Sequence, residues 1–252
     1  MPKLFQRLFI FALLLAVAGC STSPKDPYAD MSANELYTYA KKALDDADYE
    51  TAINAFEKLE ARYPFGKYAQ QAQLEIAYAY YKFNEPDSAI STLDRFIHNN
   101  PGHPDSDYAY YLKGLVNYTR GSSITDRLSH RDPSDRDARA LRDAFNDFSE
   151  LVKKFPDSKY SEDARLRLVY LHNIMAQYEV SVAEYYLKRG AFVAAANRAK
   201  YVVENYAHAP AVTDALRVMV RAYTALGMNT LADDAMRVLN ANTPTSSTPT
   251  QP

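Results

Sequence analysis

The only side chain in this sequence whose position indicates covalent chemistry is the thiol of Cys20. It is the single cysteine among 252 residues, so no disulfide can form within the chain. A Val-Ala-Gly sequence precedes it and ends an apolar segment, residues 8–18, which begins after two basic residues. Such a segment is typical of a signal peptide and is shorter than the roughly 20 residues that span a bilayer. Val-Ala-Gly-Cys matches the lipobox of bacterial lipoproteins, in which the thiol is acylated and the chain is cleaved before the cysteine.

We therefore predict that residues 1–19 are a lipoprotein signal peptide and that Cys20 carries a diacylglycerol and an N-acyl chain. An ordinary secretory signal with an unrelated cysteine is the alternative. Ser21, rather than Asp, follows the cysteine, and by resemblance to lipoprotein sorting rules this favours the outer membrane. More than one acyl chain gives stable anchoring, so the expected location is the outer membrane, lipid-anchored and facing the periplasm. Residues 20–33 are mostly polar, with two prolines, and are predicted to be an acylated tether.

The other reactive side chains form no pattern typical of an enzyme. The five histidines are scattered, and the chain has no HExxH sequence, paired cysteines, glycine-rich phosphate loop or GxSxG elbow. We predict a non-enzyme without metal or cofactor other than the covalent lipid; a lipoprotein enzyme is the disfavoured alternative. Lys and Arg number 29 against 31 Asp and Glu, and two of the basic residues lie in the signal peptide. The mature chain is thus mildly acidic, which argues against a nucleic-acid partner.

A helical pattern recurs five times and defines the elements that carry the remaining candidate residues. Each copy has an alanine, a residue four positions later and an apolar residue at position seven, and four copies end at or near a proline. The alanines are Ala52, Ala89, Ala144, Ala195 and Ala232. The residues four positions later are Phe56, Leu93, Phe148, Ala199 and Met236. Small residues, aromatic residues and a terminal proline on a repeated helix pair are the tetratricopeptide signature.

The predicted fold class is therefore all-α, a tetratricopeptide-repeat (TPR-like) superhelix of five helix pairs. An all-helical bundle, which would not need this fixed register, is the alternative. Residues 34–156 are assigned to N-terminal repeats 1–3, residues 157–240 to C-terminal repeats 4–5, and residues 241–252, rich in Thr, Ser and Pro, to a disordered tail. Residues 121–138 are dense in charge and are predicted to be a solvated loop. Residues 160–188 lack a helix breaker and predict an extended helix, or two nearly continuous ones, ending at Arg189-Gly190.

Tyrosine dominates the predicted concave face of the first three repeats. Its ring offers a large apolar surface with a hydroxyl at low conformational cost, so a tyrosine-lined groove suits an extended peptide that bears aromatic residues. Packing of tyrosines between helices is the alternative, and we favour it for Tyr80 and Tyr110. The predicted peptide-binding residues, including those beside the first proline stop, are Tyr37, Tyr63, Phe65, Tyr68, Leu74, Tyr78, Tyr81, Tyr108 and Tyr111.

Basic residues mark the C-terminal repeats and suit an acidic partner. Repeat five presents arginines at the inward positions, and Arg198 lies three residues past Ala195, off the packing stripe of its helix. We therefore expect Arg198 to be free to reach a partner. The predicted partner-binding residues are Arg189, Arg198, Arg217 and Arg221.

Several runs of residues carry a resemblance to a known family. They are Arg62-Tyr63-Pro64-Phe65-Gly66, Tyr78-Ala79-Tyr80-Tyr81-Lys82, Asp94-Arg95-Phe96-Ile97, Ser134-Asp135-Arg136-Asp137 and Ser181-Val182-Ala183-Glu184-Tyr185-Tyr186. With Arg189-Gly190-Ala191, they resemble the BamD family, tetratricopeptide lipoproteins of the outer-membrane β-barrel assembly (Bam) machinery. The resemblance extends from Cys20 to about Asn240.

This resemblance implies a periplasmic scaffold with two kinds of partner. The N-terminal repeats would engage the C-terminal sorting signal of unfolded outer-membrane β-barrel proteins. The C-terminal repeats would bind the periplasmic domains of a BamA-like barrel insertase, and other Bam lipoproteins would join the complex. A TPR lipoprotein of cell-wall or cell-division machinery is the alternative, but it should lack the Arg-Tyr-Pro-Phe-Gly and Ser-Asp-Arg-Asp runs.

Overall fold

A computed structural model describes residues 26–120 and 138–242, in which every regular element is an α-helix. The ten helices are α1 (Ala33–Asp45), α2 (Tyr49–Arg62), α3 (Lys67–Lys82), α4 (Pro86–Asn99), α5 (Ser106–Thr119), α6 (Ala138–Lys154), α7 (Ser161–Lys188), α8 (Phe192–Asn205), α9 (Val212–Ala225) and α10 (Asn229–Asn242). They form the five predicted pairs, which confirms the all-α, TPR-like fold. The predicted signal peptide, Cys20, almost all of the charged insertion and nearly all of the tail lie outside the described residues.

The chain divides into two compact units, residues 1–72 and residues 73–252, with the boundary inside α3. In the first unit, α1 begins at a capping box in which the Ser32 backbone N–H donates to the Glu35 carboxylate, while the Ser32 side chain accepts from the Glu35 backbone N–H. Helix α2 begins at Asp48, whose carboxylate accepts from the Thr51 backbone N–H. The two helices enclose Leu36, Ala52 and the Phe56 ring, all fully buried.

Residues 26–31, which we call the strap, bind along the C-terminal half of α2. The Asp26 carboxylate lies 3.3 Å from Lys58 Nζ and 3.4 Å from Arg62 Nη2. Arg62 Nη1 also donates to the Tyr28 carbonyl, at 2.5 Å, and the Tyr63 hydroxyl donates to the Met31 carbonyl, at 3.0 Å. A hydrogen bond from the Tyr28 backbone N–H, with the nearby cations, holds the pKa of Asp26 below its ordinary value. The predicted tether, 20–33, therefore does not run unattached up to α1.

In the second unit, the recurring alanines are packed in the core between helices. Ala89, Ala144 and Ala195 are fully buried, as are Ala109 and Ala164 on the neighbouring helices. Two helices also approach closely at Gly114 of α5, where an added Cβ would lie 2.6 Å from Cε1 of the Phe148 ring on α6. Small residues thus set the spacing between helices, as the repeat predicted.

A partly buried polar network fixes α5 against its neighbours in the second unit. Lys113 Nζ on α5 lies 2.7 Å from Asp94 on α4 and 3.3 Å from Asp147 on α6. Asn117 Nδ2 donates to Asp147 at 2.8 Å. Burial raises the pKa of Asp147 even though Lys113 opposes this effect. The network ties three successive helices and so orients the tyrosines that α5 carries.

Helix α7 runs without interruption over 28 residues, which confirms the extended helix predicted from the lack of breakers in 160–188. It ends at Arg189, and Gly190 follows with φ of 74°, in the left-handed region that favours glycine. One packing detail of the last repeat differs from the prediction. Helix α10 packs through Ala232, Ala235 and Leu239, while Met236 is 41% exposed. Met236 is therefore not a core residue, because α10 is the last described helix and has no described neighbour on that side.

Candidate functional site

In the first unit, three of the predicted peptide-binding residues form local contacts. The Tyr37 ring packs against Phe56, with 5.6 Å between centroids, and against Tyr68, with 5.4 Å between centroids. The Tyr68 hydroxyl donates to Asn34 Oδ1 at 2.9 Å. Tyr63 is held by the strap through its bond to Met31. These tyrosines are half-buried and fixed, so they present a preformed aromatic surface rather than mobile side chains.

Phe65 is different, because its side chain is 93% exposed. It lies in the loop between α2 and α3, directly after Pro64 and before Gly66, whose φ of 117° is accessible mainly to glycine. This is the largest exposure among the big apolar side chains of residues 26–120 and 138–242. A phenylalanine in this position contributes little to the stability of the described structure.

The second unit contains a surface of tyrosines on α3, α5 and the start of α7, which we call the tyrosine surface. Tyr111 stacks on Tyr160, with 4.7 Å between centroids and 17° between planes, and Tyr108 lies 5.6 Å from Tyr160. Tyr78 and Tyr81 are 6.5 Å apart on α3. Burial raises the pKa of Tyr108 well above its ordinary value. The members of the tyrosine surface are Tyr78, Tyr81, Tyr108, Tyr111, Tyr118 and Tyr160.

Two charged residues of α7 hold the tyrosine surface in place. The Tyr111 hydroxyl donates to Asp163 Oδ2 at 2.7 Å, and Arg167 Nε donates to the same oxygen at 2.5 Å. The Arg167 guanidinium also lies 5.0 Å from the centroid of the Tyr118 ring, a cation–π contact. Partial burial favours the protonated form of Asp163, but the bonds from Arg167 and Tyr111 bring its pKa below the ordinary value. Asp163 therefore accepts as a carboxylate at neutral pH.

Sequence reasoning missed Tyr160, Asp163 and Arg167. A signal for Tyr160 was present, because it lies four residues after Pro156, as Tyr68 lies four residues after Pro64. Asp163 and Arg167 looked like an ordinary exposed helix pair at i, i+4 spacing. Their role depends on the neighbouring helix, which the local pattern does not contain.

The assignment of Leu74 to the peptide-binding set is wrong. Its side chain is 1% exposed and packs with Leu93, Phe96 and Leu112 in the core between α3, α4 and α5. Tyr78 and Tyr81, on the same helix, are only partly buried. Leu74 therefore supports the tyrosine surface from behind and cannot contact a bound peptide.

The expectation that Arg198 is free is wrong in one respect: its guanidinium is paired within the fold, although 45% of its side chain remains exposed. Arg198 Nη1 donates to Glu179 Oε2 at 2.6 Å, and the Glu179 side chain is only 12% exposed. Glu179 faces a cleft between α6, α7 and α8 that is also lined by Arg142, Tyr201 and Tyr206. This hydrogen bond raises the pKa of Arg198 above its ordinary value. The two residues are 19 positions apart, so no local periodicity indicates the pair.

The other predicted partner-binding arginines are on the surface of the C-terminal repeats. Arg217 pairs with Asp214 on its own helix at 2.5 Å. Arg221 lies one turn further along α9, and Arg189 lies at the end of α7. Both are exposed, and no ion pair engages either of them within residues 26–120 and 138–242. All three arginines are exposed.

We predict that Asp163→Asn destabilises the folded chain by about 1 kcal/mol at pH 7, since it weakens two hydrogen bonds at a partly exposed site. Because the pKa of Asp163 is lowered in the folded chain, its carboxylate stabilises the folded state at pH values above the ordinary pKa of aspartate. This contribution is lost as pH falls through the pKa that Asp163 has in the folded chain. The difference between wild type and variant should therefore shrink below about pH 4. Urea unfolding at several pH values measures it, with Asp157→Asn at an exposed position as the control. An equal loss at every pH would contradict the assignment.

Within the described parts of the chain, no group of three or more His, Cys, Asp or Glu side chains is arranged to hold a metal ion. No helix there is both long and apolar enough to cross a membrane.

The comparisons with known proteins agree with the resemblance to the BamD family. The YfiO family, described as outer membrane lipoprotein, matches residues 29–238. Outer membrane protein assembly factor BamD of Neisseria meningitidis serogroup B is 43% identical over 244 residues, covering 95% of this chain and 91% of that protein. The BamD of Vibrio cholerae serotype O1 is 34% identical over 238 residues, covering 94% and 98%. The crystal structure of MamA aligns over 82% of this chain and 88% of that one, at 17% identity and a TM-score of 0.35. On the strength of the family match and the curated relatives, the chain belongs to the YfiO family of outer membrane lipoproteins.

Proposed function

We propose that this chain is a non-catalytic scaffold for the assembly of β-barrel proteins in the outer membrane, anchored there by lipid on Cys20. Its relatives in Neisseria and Vibrio bear the name outer membrane protein assembly factor BamD. The lipobox at Cys20 supports a covalent diacylglycerol and N-acyl chain, which would hold the folded repeats at the periplasmic face.

The observation that carries the peptide-binding part of the proposal is the tyrosine surface. It joins α3, α5 and α7, the first helices of repeats two to four, and its rings are already packed and hydrogen-bonded before any partner arrives. A preformed aromatic surface loses little conformational entropy on binding. It suits the C-terminal segment of an unfolded barrel protein, an extended strand that ends in aromatic and apolar residues. Because Tyr160 belongs to it, the surface extends past residue 156, where the N-terminal repeats were predicted to end.

The insertase-binding part rests on the C-terminal repeats. Arg189, Arg217 and Arg221 present positive charge there, and α8 and α10 leave apolar side chains in water, including Val193 at 58% and Leu231 at 45% exposure. Exposed apolar residues and arginines on the same repeats are typical of protein interfaces. An acidic periplasmic domain of a BamA-like insertase is the proposed partner, with other Bam lipoproteins in the same complex.

Depletion of this lipoprotein is expected to reduce folded outer-membrane barrels at least about tenfold while inner-membrane proteins are spared, since the pathway would lose its scaffold.

Complementation of the depleted cells separates the peptide-binding role from the other roles of the scaffold. Wild type should restore barrel levels, whereas Tyr111→Ala with Tyr160→Ala should not, because the stacked pair is lost. Immunoblots of heat-modifiable barrels measure the outcome.

Tyr185→Ala is the matched control, because this tyrosine is 57% exposed and lies outside the tyrosine surface. It should complement fully. Circular dichroism must show that the double variant is folded. Normal barrel levels after depletion would rule out the assembly role. Full complementation by the folded double variant would remove the tyrosine surface from it.

A further inference from the structure

Phe65 is an apolar side chain in water whose exposure the folded unit does not explain. The base of its loop is fixed, because the Tyr63 hydroxyl is bonded to Met31 of the strap and α3 begins at Lys67. The ring is nevertheless 93% exposed. A fixed loop that holds a large apolar side chain in solvent is typical of a contact surface for a partner.

The strap places the start of the described chain at the same end of α2 as this loop. Asp26 is held by Lys58 and Arg62, which lie in the last two turns of α2. Arg62 is only three residues before Phe65. The chain therefore enters the first unit at the end that carries the exposed phenylalanine.

The length of chain before the strap limits how far this end is from the lipid anchor. Asp26 lies six positions after Cys20, and a fully extended chain covers at most about 3.5 Å per position, or about 20 Å in all. A segment confined so close to a bilayer meets it at a high effective concentration, which favours contacts that are weak by themselves.

The side chains around Phe65 have the chemistry of a membrane interface. Lys67 is exposed two residues after it, and the Lys67 ammonium lies 5.1 Å from the centroid of the Tyr68 ring. Basic residues attract anionic headgroups, while their aliphatic stems and a neighbouring aromatic ring enter the region beneath. A peptide would meet the same ring, but no anchor holds a peptide at this end of the unit.

We propose that the loop of residues 63–67 is a second membrane contact, in which the Phe65 ring enters the boundary between lipid headgroups and acyl chains. This inference rests on the acylation of Cys20 proposed above. The acyl chains and the loop would fix the first unit at two points, so that it has a defined orientation on the membrane rather than swinging on its tether.

Tryptophan fluorescence tests this contact, because the chain has no tryptophan of its own. The full acylated lipoprotein carrying Phe65→Trp is placed in vesicles of phosphatidylethanolamine with phosphatidylglycerol as the anionic lipid. Its emission should shift by about 10 nm to shorter wavelength, and lipids brominated near the headgroup should quench it about twofold, as expected for an interfacial tryptophan. The matched control is Phe83→Trp, at another exposed phenylalanine just past the end of α3. It should show neither change.

Three outcomes would overturn the inference. The tryptophan could remain water-exposed and unquenched in both variants, or it could respond equally in both. Alternatively, Phe65→Trp could shift only when a soluble peptide ending in aromatic residues is added, in which case the loop belongs to a peptide site. Mass spectrometry of the same sample reports acylation independently. An unacylated protein would count against the proposed anchor, whereas an acylated protein with an exposed Trp at this loop would count only against the second contact.

Discussion

Replacing Gly114 by leucine should lower the free energy of unfolding of the chain by about 3 kcal/mol, since an overpacked core cannot relax around it. A Cβ at this position would lie 2.6 Å from the Phe148 ring, which is fully buried. The ring cannot move easily, because Tyr111 and Tyr118 pack against it at 6.1 and 6.5 Å between centroids. The same change should therefore disturb the tyrosine surface and weaken peptide binding.

Urea unfolding followed by circular dichroism measures this effect, with Gly102→Ala as the control. A Cβ added at Gly102 would have no atom within 4 Å, so that variant should be as stable as wild type. Removing the Phe148 ring tests whether its close contact with residue 114 causes the loss of stability. In a double-mutant cycle, Gly114→Leu with Phe148→Ala should lose clearly less stability than the sum of the two single changes. Strict additivity would show that the close approach is not the source of the loss.

Reversing the charge of Arg198 should have two separable effects. Arg198→Glu places a second carboxylate beside the nearly buried Glu179, and we expect a loss of about 2 kcal/mol in the free energy of unfolding. Association with the insertase should fall at least about tenfold, as for a charged residue at an interface. Part of that fall would come from the damaged fold rather than from a lost contact.

Adding Glu179→Gln to this variant separates the two effects. The amide would donate to the new carboxylate and remove the repulsion, so stability should return. If Arg198 contacts an acidic partner, association should stay low in the double variant. Recovery of association together with stability would mean that Arg198 acts only within the fold. Lys200→Glu, which changes an exposed charge on the same helix, is the control and should bind normally.

The repeat was predictable because its physical cause is local. An alanine that allows two helices to approach leaves a fixed spacing in the sequence, and Ala89, Ala144 and Ala195 are fully buried where that spacing placed them. The length of α7 was predictable for a similar reason: no breaker occurs before Arg189-Gly190, and the glycine is required by its positive φ.

The wrong assignment of Leu74 shows the limit of predicting exposed positions from helical periodicity. Helical periodicity identifies which residues share a face, but an inner helix of a repeat is covered on several sides. Leu74 lies on the side closed by α4 and α5, while Tyr78, one turn later, is only partly buried. Distinguishing these positions requires the angle at which α3 meets its neighbours, and that angle depends on side chains of two other helices.

The candidate site was only half predictable for the same reason. Tyr108 and Tyr111 were expected on a binding face, but the residues that fix them, Tyr160 and Asp163, lie at the start of α7, and Asp163 is 52 positions from Tyr111 in the chain. The Glu179–Arg198 pair likewise forms across the turn between α7 and α8. Such pairs depend on how helices pack, not on the spacing within one of them.

The unbroken α7 also has a mechanical consequence. Asp163 and Arg167 lie near the N-terminus of this helix beneath the tyrosines, and Glu179 lies about 24 Å from Asp163 along the same axis, at about 1.5 Å per residue. An α-helix resists stretching and twisting, because each turn is braced by hydrogen bonds to the next. A tilt imposed near the N-terminus of α7 by a bound strand would therefore displace Glu179 further along the helix. Helix α7 would thus couple the tyrosine surface mechanically to the proposed insertase-binding repeats.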